Sequence, residues 1–396
     1  MCIIQIFIIA KAKTSVSFRS MSGVFEVFAT CFNEEISIPS FSTGMLWIKK
    51  LGYYRLNQAK EIANDWILIL DESIGIGQEK LLVVLGIRKS KIDFTRPLKI
   101  QDMEPLVVKS KKTWTGEDIS KELEICKKMV GKVIYATTDG GSTLKKGLRT
   151  SNIPHIYDLT HAIAIMLETL YKNDPEFKEF THTMGQMRLK FCCSKHAHII
   201  PPNQRSKSRF LNIDILSRWC DKVLIALEKD SLSQAERELL QWVYDKKEFV
   251  KEMHLIVNAI EELSILLKNY GLNDKSVRKS KKILQSCRST VRQKQFKTLF
   301  EEYLTNNTAL LNKKSGTLLC SSDIIETTFG KFKNELNKNP MSGITDMALI
   351  IPAFTSSFAK EEIKKAIDNC TKKMIKQWCK VNLCDSLSVK RNLTLN

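Results

Sequence analysis

Three acidic residues stand where this sequence could hold divalent cations: Asp71, Asp139 and Glu326. Asp71 closes the apolar run Trp66-Ile67-Leu68-Ile69-Leu70 and is followed by Glu72-Ser73. Asp139 closes Val133-Ile134-Tyr135-Ala136-Thr137-Thr138 and is followed by Gly140-Gly141-Ser142. A run that is apolar on both faces is what a doubly covered strand requires. A carboxylate at the end of such a strand loses hydration, and two of them side by side repel unless a cation compensates. Mg²⁺ takes hard oxygen ligands, and two such ions about 3.5–4 Å apart suit in-line displacement at phosphorus. Each aspartate taken alone also suits capping of the turn that follows it.

The third acid sits in a different pattern. Residues 321–333 read as a helix in which Ile325, Phe329, Phe332 and Leu336 form a buried stripe at four-three-four spacing. Glu326, Gly330 and Lys333 follow the same spacing on an adjacent stripe, so an acid, a gap without a side chain and a base lie in a row. A phosphate backbone could approach such a row closely. The alternative is that Asp323 and Glu326 serve a capping-box start for the helix.

The elements that must position these acids can be read from the pattern around them. Residues 66–70 and 81–85 predict a hairpin about the turn at Gly75-Ile76-Gly77-Gln78, and residues 97–108 predict a third strand. Helical spacing over 118–129 ends at Gly131, a residue suited to a C-cap. Residues 133–138 and 153–157 predict two more strands. The order describes a mixed sheet with helical cover, an α/β fold. Beyond His161 the spacing is helical over 162–171, 211–227, 232–244 and 248–267. Residues 1–58 predict short helices rather than a complete domain. The opening apolar run 1–10 is too short to span a bilayer, lacks a basic flank, and is read as an irregular start.

The 396 residues carry 62 Lys and Arg against 43 Asp and Glu, a formal net charge of +19. That balance favours a polyanionic partner, because cationic side chains neutralise phosphates and release counterions. Eleven cysteines without regular spacing or a secretory signal argue for reduced thiols in an intracellular protein, and no membrane partner is expected because no segment is a transmembrane candidate. The run Cys192-Cys193-Ser194-Lys195-His196-Ala197-His198 does not suit zinc, since adjacent cysteines do not close readily on one tetrahedral ion. Gly75-Ile76-Gly77 lacks the strand-loop-helix setting of a nucleotide fingerprint. Residues 275–297, rich in Lys and Arg, suit either a solvated helix face or a DNA-facing surface. The basic loop bearing Arg205, Lys207 and Arg209 is a second candidate for DNA contact, with a solvated connection as its alternative.

The order of Asp71 on a first strand, Asp139 on a fourth and Glu326 on a late helix resembles the DDE transposases with an RNase H-like core. The turn Thr138-Asp139-Gly140-Gly141 contributes to the likeness. So does Asp158-Leu159-Thr160-His161, which matches the "Cys or Asp, two residues, His" element of hAT-like and related superfamilies. Glu326 with Lys333 fits half of the signature of bacterial cut-and-paste transposases; Leu319 and Ser322 stand where that signature has Tyr and Arg.

The resemblance implies an RNase H-like mixed five-stranded sheet with helices on both faces, interrupted by an all-α insertion. Asp139 and Glu326 lie 187 positions apart, which leaves room for that insertion. The implied segments are 1–60, the remnant of an N-terminal DNA-binding region in a truncated chain; 61–170, the first part of the core; 171–315, the insertion; and 316–396, the last part of the core. It further implies that Asp71, Asp139 and Glu326 bind two Mg²⁺ or Mn²⁺ ions for strand cleavage and transfer. Asp158, His161 and Lys333 would support the site. Ser217-Arg218-Trp219 resembles the Arg-Trp element of hAT insertions, in which the ring stacks on an unpaired base; packing in an apolar core is the alternative for Trp219. Arg218, Trp219 and Lys331 join the DNA-contact candidates.

The expected partners are double-stranded DNA, as transposon ends and target, and further copies of the chain in a homodimer or larger assembly. The expected location is nuclear in a eukaryote and the cytoplasm or nucleoid in a bacterium. A non-catalytic DNA-binding descendant and an RNase H-like nuclease or resolvase are the competing functions.

Overall fold

In a computed structural model, which describes residues 2–32, 37–74, 79–204, 212–229, 232–309, 316–336 and 343–395, the apolar runs form one sheet. Its strands are β1 (Ala63–Ile74), β2 (Lys80–Arg88), β3 (Glu104–Lys111), β4 (Gly131–Thr138) and β5 (His155–Tyr157), in the order β3-β2-β1-β4-β5. β1 pairs antiparallel with β2 and parallel with β4, and β2 pairs antiparallel with β3. The turn expected at 75–78 lies outside the described residues. The helices before and among the strands are α1 (Cys2–Lys13), α2 (Phe18–Phe32), α3 (Phe41–Asn57), α4 (Gly116–Val130) and α5 (Ser142–Thr150). Then come α6 (Leu159–Tyr171), α7 (Pro175–Phe191), α8 (Ile213–Glu228), α9 (Gln234–Asp245), α10 (Lys247–Tyr270), α11 (Asp274–Ile283) and α12 (Val291–Thr308). The chain ends with α13 (Asp323–Leu336), α14 (Ile350–Ala353), α15 (Lys360–Asn369), α16 (Lys372–Asn382) and α17 (Leu387–Leu395). A five-stranded mixed sheet flanked by helices, with an extensive all-α region after it, is the RNase H-like fold with a helical insertion.

Contacts divide the chain into two compact units. One comprises Met1–Asp93, Pro97–Ile156 and Ser322–Asn396; the other comprises Phe94–Arg96 and Tyr157–Ser321. In the sheet-bearing unit, strand alternation sorts the side chains by face. Trp66, Leu68 and Leu70 of β1, with Ala136 of β4, pack on Ile119, Leu123, Cys126 and Val130 of α4 and on Leu144 and Leu148 of α5. Ile67 and Ile69 point to the opposite face and are fully buried. α13 packs on β1 with Ile325, Phe329 and Phe332 buried, the stripe expected from spacing; the side chain of Leu336 lies outside the described residues.

Two local readings are corrected by the structure. The first is the opening run, which forms α1 rather than an irregular start. Phe7 is fully buried, 5.7 Å from the Trp47 ring and 6.0 Å from that of Phe25. Gly44 of α3 makes room for it, since a Cβ there would stand 2.0 Å from Phe7 Cζ. Packing on α3 therefore orders a segment whose own pattern has no periodicity. The second is β3, which starts at Glu104 because residues 100–102 form a 3₁₀ turn, with Asp102 Oδ2 accepting the Lys99 amide at 2.7 Å. Pro105 then occupies the second position of β3, at a register shift where its missing N–H is tolerated.

α3 is also fastened to the end of this unit. A Cβ at Gly52 would stand 1.8 Å from the Leu349 carbonyl oxygen, so only glycine allows the approach. Arg55 donates from Nε to Thr355 Oγ1 and from Nη2 to Thr355 O, both at 3.1 Å. Beside it, the buried Lys60 Nζ donates to the Arg55 carbonyl at 2.6 Å and pairs with Glu104 at 3.2 Å. Burial lowers the Lys60 pKa to about 8, more than the Glu104 charge restores.

The sign of the linkage follows. Between pH 8 and the ordinary value of 10.5 the unfolded chain holds a proton on Lys60 that the folded chain does not. Stability should therefore rise with pH across that window and reach the full contribution of this group above it. Urea unfolding at pH 7.5 and pH 10 should show wild type gaining relative to Lys60→Met as pH rises. An identical pH dependence of the two proteins would refute this.

In the helical unit, α10 lies at the centre, burying Phe249, Val250, Met253, Ile256, Val257 and Leu263, with α6, α8, α9, α11 and α12 packed around it. Phe180 lies 5.4 Å from Phe249, and Tyr171 lies 4.9 Å from Phe177. Among the described residues no helix is long and apolar enough to cross a membrane.

Candidate active site

The register of β1 on β4 pairs Ile67 with Tyr135, Leu68 with Ala136 and Ile69 with Thr137. Asp71 and Asp139 each lie two positions beyond the last of these pairs. They therefore lie together where the pairing of β1 with β4 ends, and by the period of two they share one face. Asp139 stands just past β4, and Asp71 stands within β1, which runs on to Ile74 against β2 rather than ending at the aspartate. That face is the one opposite α4 and α5, since Leu68, Leu70 and Ala136 belong to the α4/α5 core. Both aspartates are half-buried.

Each aspartate also makes the local contact expected of a turn-former. Asp71 Oδ1 accepts the Glu72 amide at 2.7 Å, and Asp139 Oδ1 accepts the Gly141 amide at 2.9 Å. A Cβ at Gly141 would stand 3.3 Å from Asp139 Oδ1, so glycine lets the carboxylate lie over the start of α5. A negative charge is favoured at such a helix N-terminus. Capping and a functional role are compatible here, because each of these two hydrogen bonds uses one oxygen of its carboxylate.

Two neighbours of this site carry little signal in the sequence, Thr138 and His155. Thr138 Oγ1 accepts the Gly140 amide at 3.1 Å and lies 2.9 Å from His155 Nε2. Burial holds His155 below its ordinary pKa, against the opposing influence of Thr138 and Asp139. The one cue to this histidine is that it opens the strand next to β4.

Glu326 is exposed in the first turn of α13, whose buried stripe packs beneath it. Lys333 is exposed in the last turn. Lys331 Nζ lies 3.3 Å from the Ala12 carbonyl and 5.1 Å from the centre of the Phe354 ring. The carboxylate pair offers oxygen donors only, which fits a hard divalent cation. Among the described residues, however, no group of three or more His, Cys, Asp or Glu side chains is disposed to hold a metal ion. The two aspartates thus share one face where the pairing of β1 with β4 ends, and Glu326 stands in the first turn of α13, which packs on β1.

Asp158 and His161 belong to the helical unit. Asp158 is fully buried and caps α6, its Oδ2 accepting the His161 amide at 2.9 Å and lying 3.0 Å from His161 Nδ1. The "Asp, two residues, His" spacing is thus a helix start in which the histidine closes on its own cap. Arg218 pairs with Glu261. Trp219 is half-buried and stacks on Trp242, ring centres 6.2 Å apart. Arg205, Lys207 and Arg209 lie outside the described residues.

No protein-family model matches this sequence, and no curated protein matches it. Among solved structures, the Drosophila P element transposase strand transfer complex is similar to this chain over 88% of its length and 92% of that chain, at 11% identity and a TM-score of 0.44. A likeness at that level carries no inference about what this chain does.

Proposed function

We propose that this chain is a DNA nucleotidyltransferase of the DDE transposase type, which cuts DNA strands and joins the freed ends to a target. The observation that supports the reading is the register of β1 on β4, by which Asp71 and Asp139 share one face just beyond the last pair of those two parallel strands. Asp71, Asp139 and Glu326 are the proposed holders of two Mg²⁺ or Mn²⁺ ions, with Glu326 brought in by α13. When bound, such ions supply charge neutralisation at the attacking and leaving oxygens.

The reaction needs no protein nucleophile. Water attacks phosphorus, the P–O3′ bond breaks, and the 3′ oxygen leaves with a proton as a hydroxyl. That hydroxyl then attacks a target phosphorus and displaces the target's own 3′ oxygen. Catalysis of this kind is positioning and electrostatics. Double-stranded DNA is the proposed substrate, with Arg205, Lys207, Arg209, Arg218, Trp219 and Lys331 as candidate contacts and Asp158, His161 and Lys333 as candidate supports. Pairing of two DNA ends calls for at least a homodimer.

A DNA-binding descendant without catalysis is the second reading, favoured by the lack of a three-acid group among the described residues. Incubation with supercoiled plasmid in Mg²⁺ or Mn²⁺, with and without chelator, separates the two. Nicking and strand joining that stop on chelation are expected. Binding without any nicking in either ion would establish the second reading instead.

A further inference from the structure

The strongest concentration of charge in the chain is used by neither the carboxylate site nor the core. Residues 275–297 hold nine Lys and Arg and no Asp or Glu, against a net charge of +19 for the whole chain. Within this stretch, Lys275, Arg278, Lys279, Lys281, Lys282 and Arg288 are all exposed. Among the described residues none of the six pairs with a carboxylate. Two of them meet neutral groups instead: Arg278 Nε donates to the Asp274 carbonyl, and Lys279 Nζ lies 6.0 Å from the Tyr270 ring centre. In the same unit Arg218 pairs with Glu261, and Arg292 with Asp174, Glu176 and Glu252.

The helix that carries most of these cations is held firmly. Leu272 and Leu318 exchange backbone hydrogen bonds of 2.8 and 2.9 Å just before α11, and Asn273 caps it by accepting the Lys275 and Ser276 amides. α11 packs on α10 and buries only Ser276 and Ser280, small residues that let the backbones approach. Lys275, Arg278, Lys279 and Lys282 follow the spacing that places four side chains on one helix face. A fixed row of four cations, on a helix whose one acid is Asp274 at its start, is a preorganised binding surface for a polyanion.

We infer that α11 and the turn after it form a duplex-DNA phosphate-binding face that reads no sequence. The charge match selects the ligand, since a DNA duplex carries one negative charge per roughly 1.7 Å of axis. The basic α15 differs in kind, because Glu361, Glu362 and Asp368 are interspersed among its lysines, and α16 spreads four lysines over eleven residues where α11 sets five cations in ten. The inference rests on the proposed function only in naming DNA as the ligand, and its test needs no cleavage.

The experiment compares two full-length variants of equal charge change on a 20-bp duplex of arbitrary sequence. One carries Lys275→Gln, Arg278→Gln, Lys279→Gln and Lys282→Gln; the control carries Lys364→Gln, Lys365→Gln, Lys372→Gln and Lys373→Gln. The α11 variant should lose at least about tenfold in affinity near 0.1 M salt. Its slope of log affinity against log salt should fall by roughly 3–4, about 0.9 for each phosphate that is no longer neutralised. The control should change by less than about threefold. Equal losses in both variants would mean that only net charge acts, and unchanged binding by the α11 variant would remove the face altogether. Tighter, α11-dependent binding to an RNA duplex would overturn DNA as the occupant. If the fourfold variant fails to fold, the pair Arg278→Glu and Lys282→Glu is read against the same expectations. DNA binding lost in the α11 variant of a chain that never nicks plasmid would leave this inference standing while the catalytic reading falls.

Discussion

Asp71→Asn and Asp139→Asn should each lower strand cleavage and joining by at least about 10³-fold, while DNA affinity holds or rises. Removing a single donor from an electrostatic catalytic site already costs about 10²–10³ in rate, and a carboxylate that balances cation charge should cost no less. The substitution is conservative for the fold. Asparagine keeps an Oδ1 able to accept the Glu72 amide in one case and the Gly141 amide in the other. It removes one negative charge from a face that would meet phosphates, so binding should not weaken.

Glu326→Gln should behave in the same way if α13 supplies the third ligand. Glu72→Gln is the internal control. Glu72 is adjacent in sequence, alternates to the other face of β1 and pairs with Lys80 at 3.0 Å, so its loss should leave the rate within about threefold. Single-turnover cleavage of an end-labelled duplex, with affinity measured alongside, gives both readouts. Near-normal cleavage by either aspartate variant would remove that residue from the proposed site.

Arg292→Ala should destabilise the helical unit by about 3 kcal/mol, which for a unit of this size lowers the unfolding midpoint by roughly 6–12 °C. Arg292 gathers three carboxylates from two other helices and the cap of one of them. Nη2 reaches Asp174 Oδ2 and Glu176 Oε2 at 2.8 Å, and Nη1 reaches Glu252 Oε2 at 2.6 Å. The guanidinium also lies 5.1 Å from the centre of the Phe249 ring. Glu252 keeps only 7% of its side-chain exposure, so truncation of the arginine strands a buried charge. The figure sits at the low end for such a loss because the arginine side chain is 19% exposed and Glu176 39%. Arg292→Lys should fall between the two, since one ammonium cannot span three carboxylates as the planar fork does. A midpoint for Arg292→Ala within about 2 °C of wild type would show that the cluster adds nothing net.

Much of the sheet was legible because burial on both faces leaves a plain mark. The runs 66–70, 81–85 and 133–138 have no polar alternation, and each became a strand of the sheet. The stripe Ile325, Phe329 and Phe332 was legible for the complementary reason, since a helix with one covered face repeats every three or four residues. The apolar opening had no such period, and its helix depends on Phe7 entering the space left by Gly44. β3 was misplaced at its start because a single 3₁₀ turn, closed by Asp102, looks like extended chain in a polar stretch. Trp219 shows two open readings narrowed by a partner: it stacks on Trp242, 23 positions away, and remains half-buried.

What the sequence determined by itself was therefore the inventory: five buried or half-buried strands, a long helical stretch, a basic surface, and acids that close the apolar runs of the first and fourth strands. Local chemistry sets those features, because desolvation and the strand and helix periods act over a few residues. Only the tertiary structure decided which of them meet. The parallel register of β1 on β4 brings Asp71 and Asp139 to one face, and a slip of one residue would have sent one of them into the α4/α5 core. Arg292 found acids 40 and 118 positions away, and among the described residues the cations of α11 found none. Pairings of that range are set by packing, which minimises buried charge over the whole chain, and no window of sequence contains them.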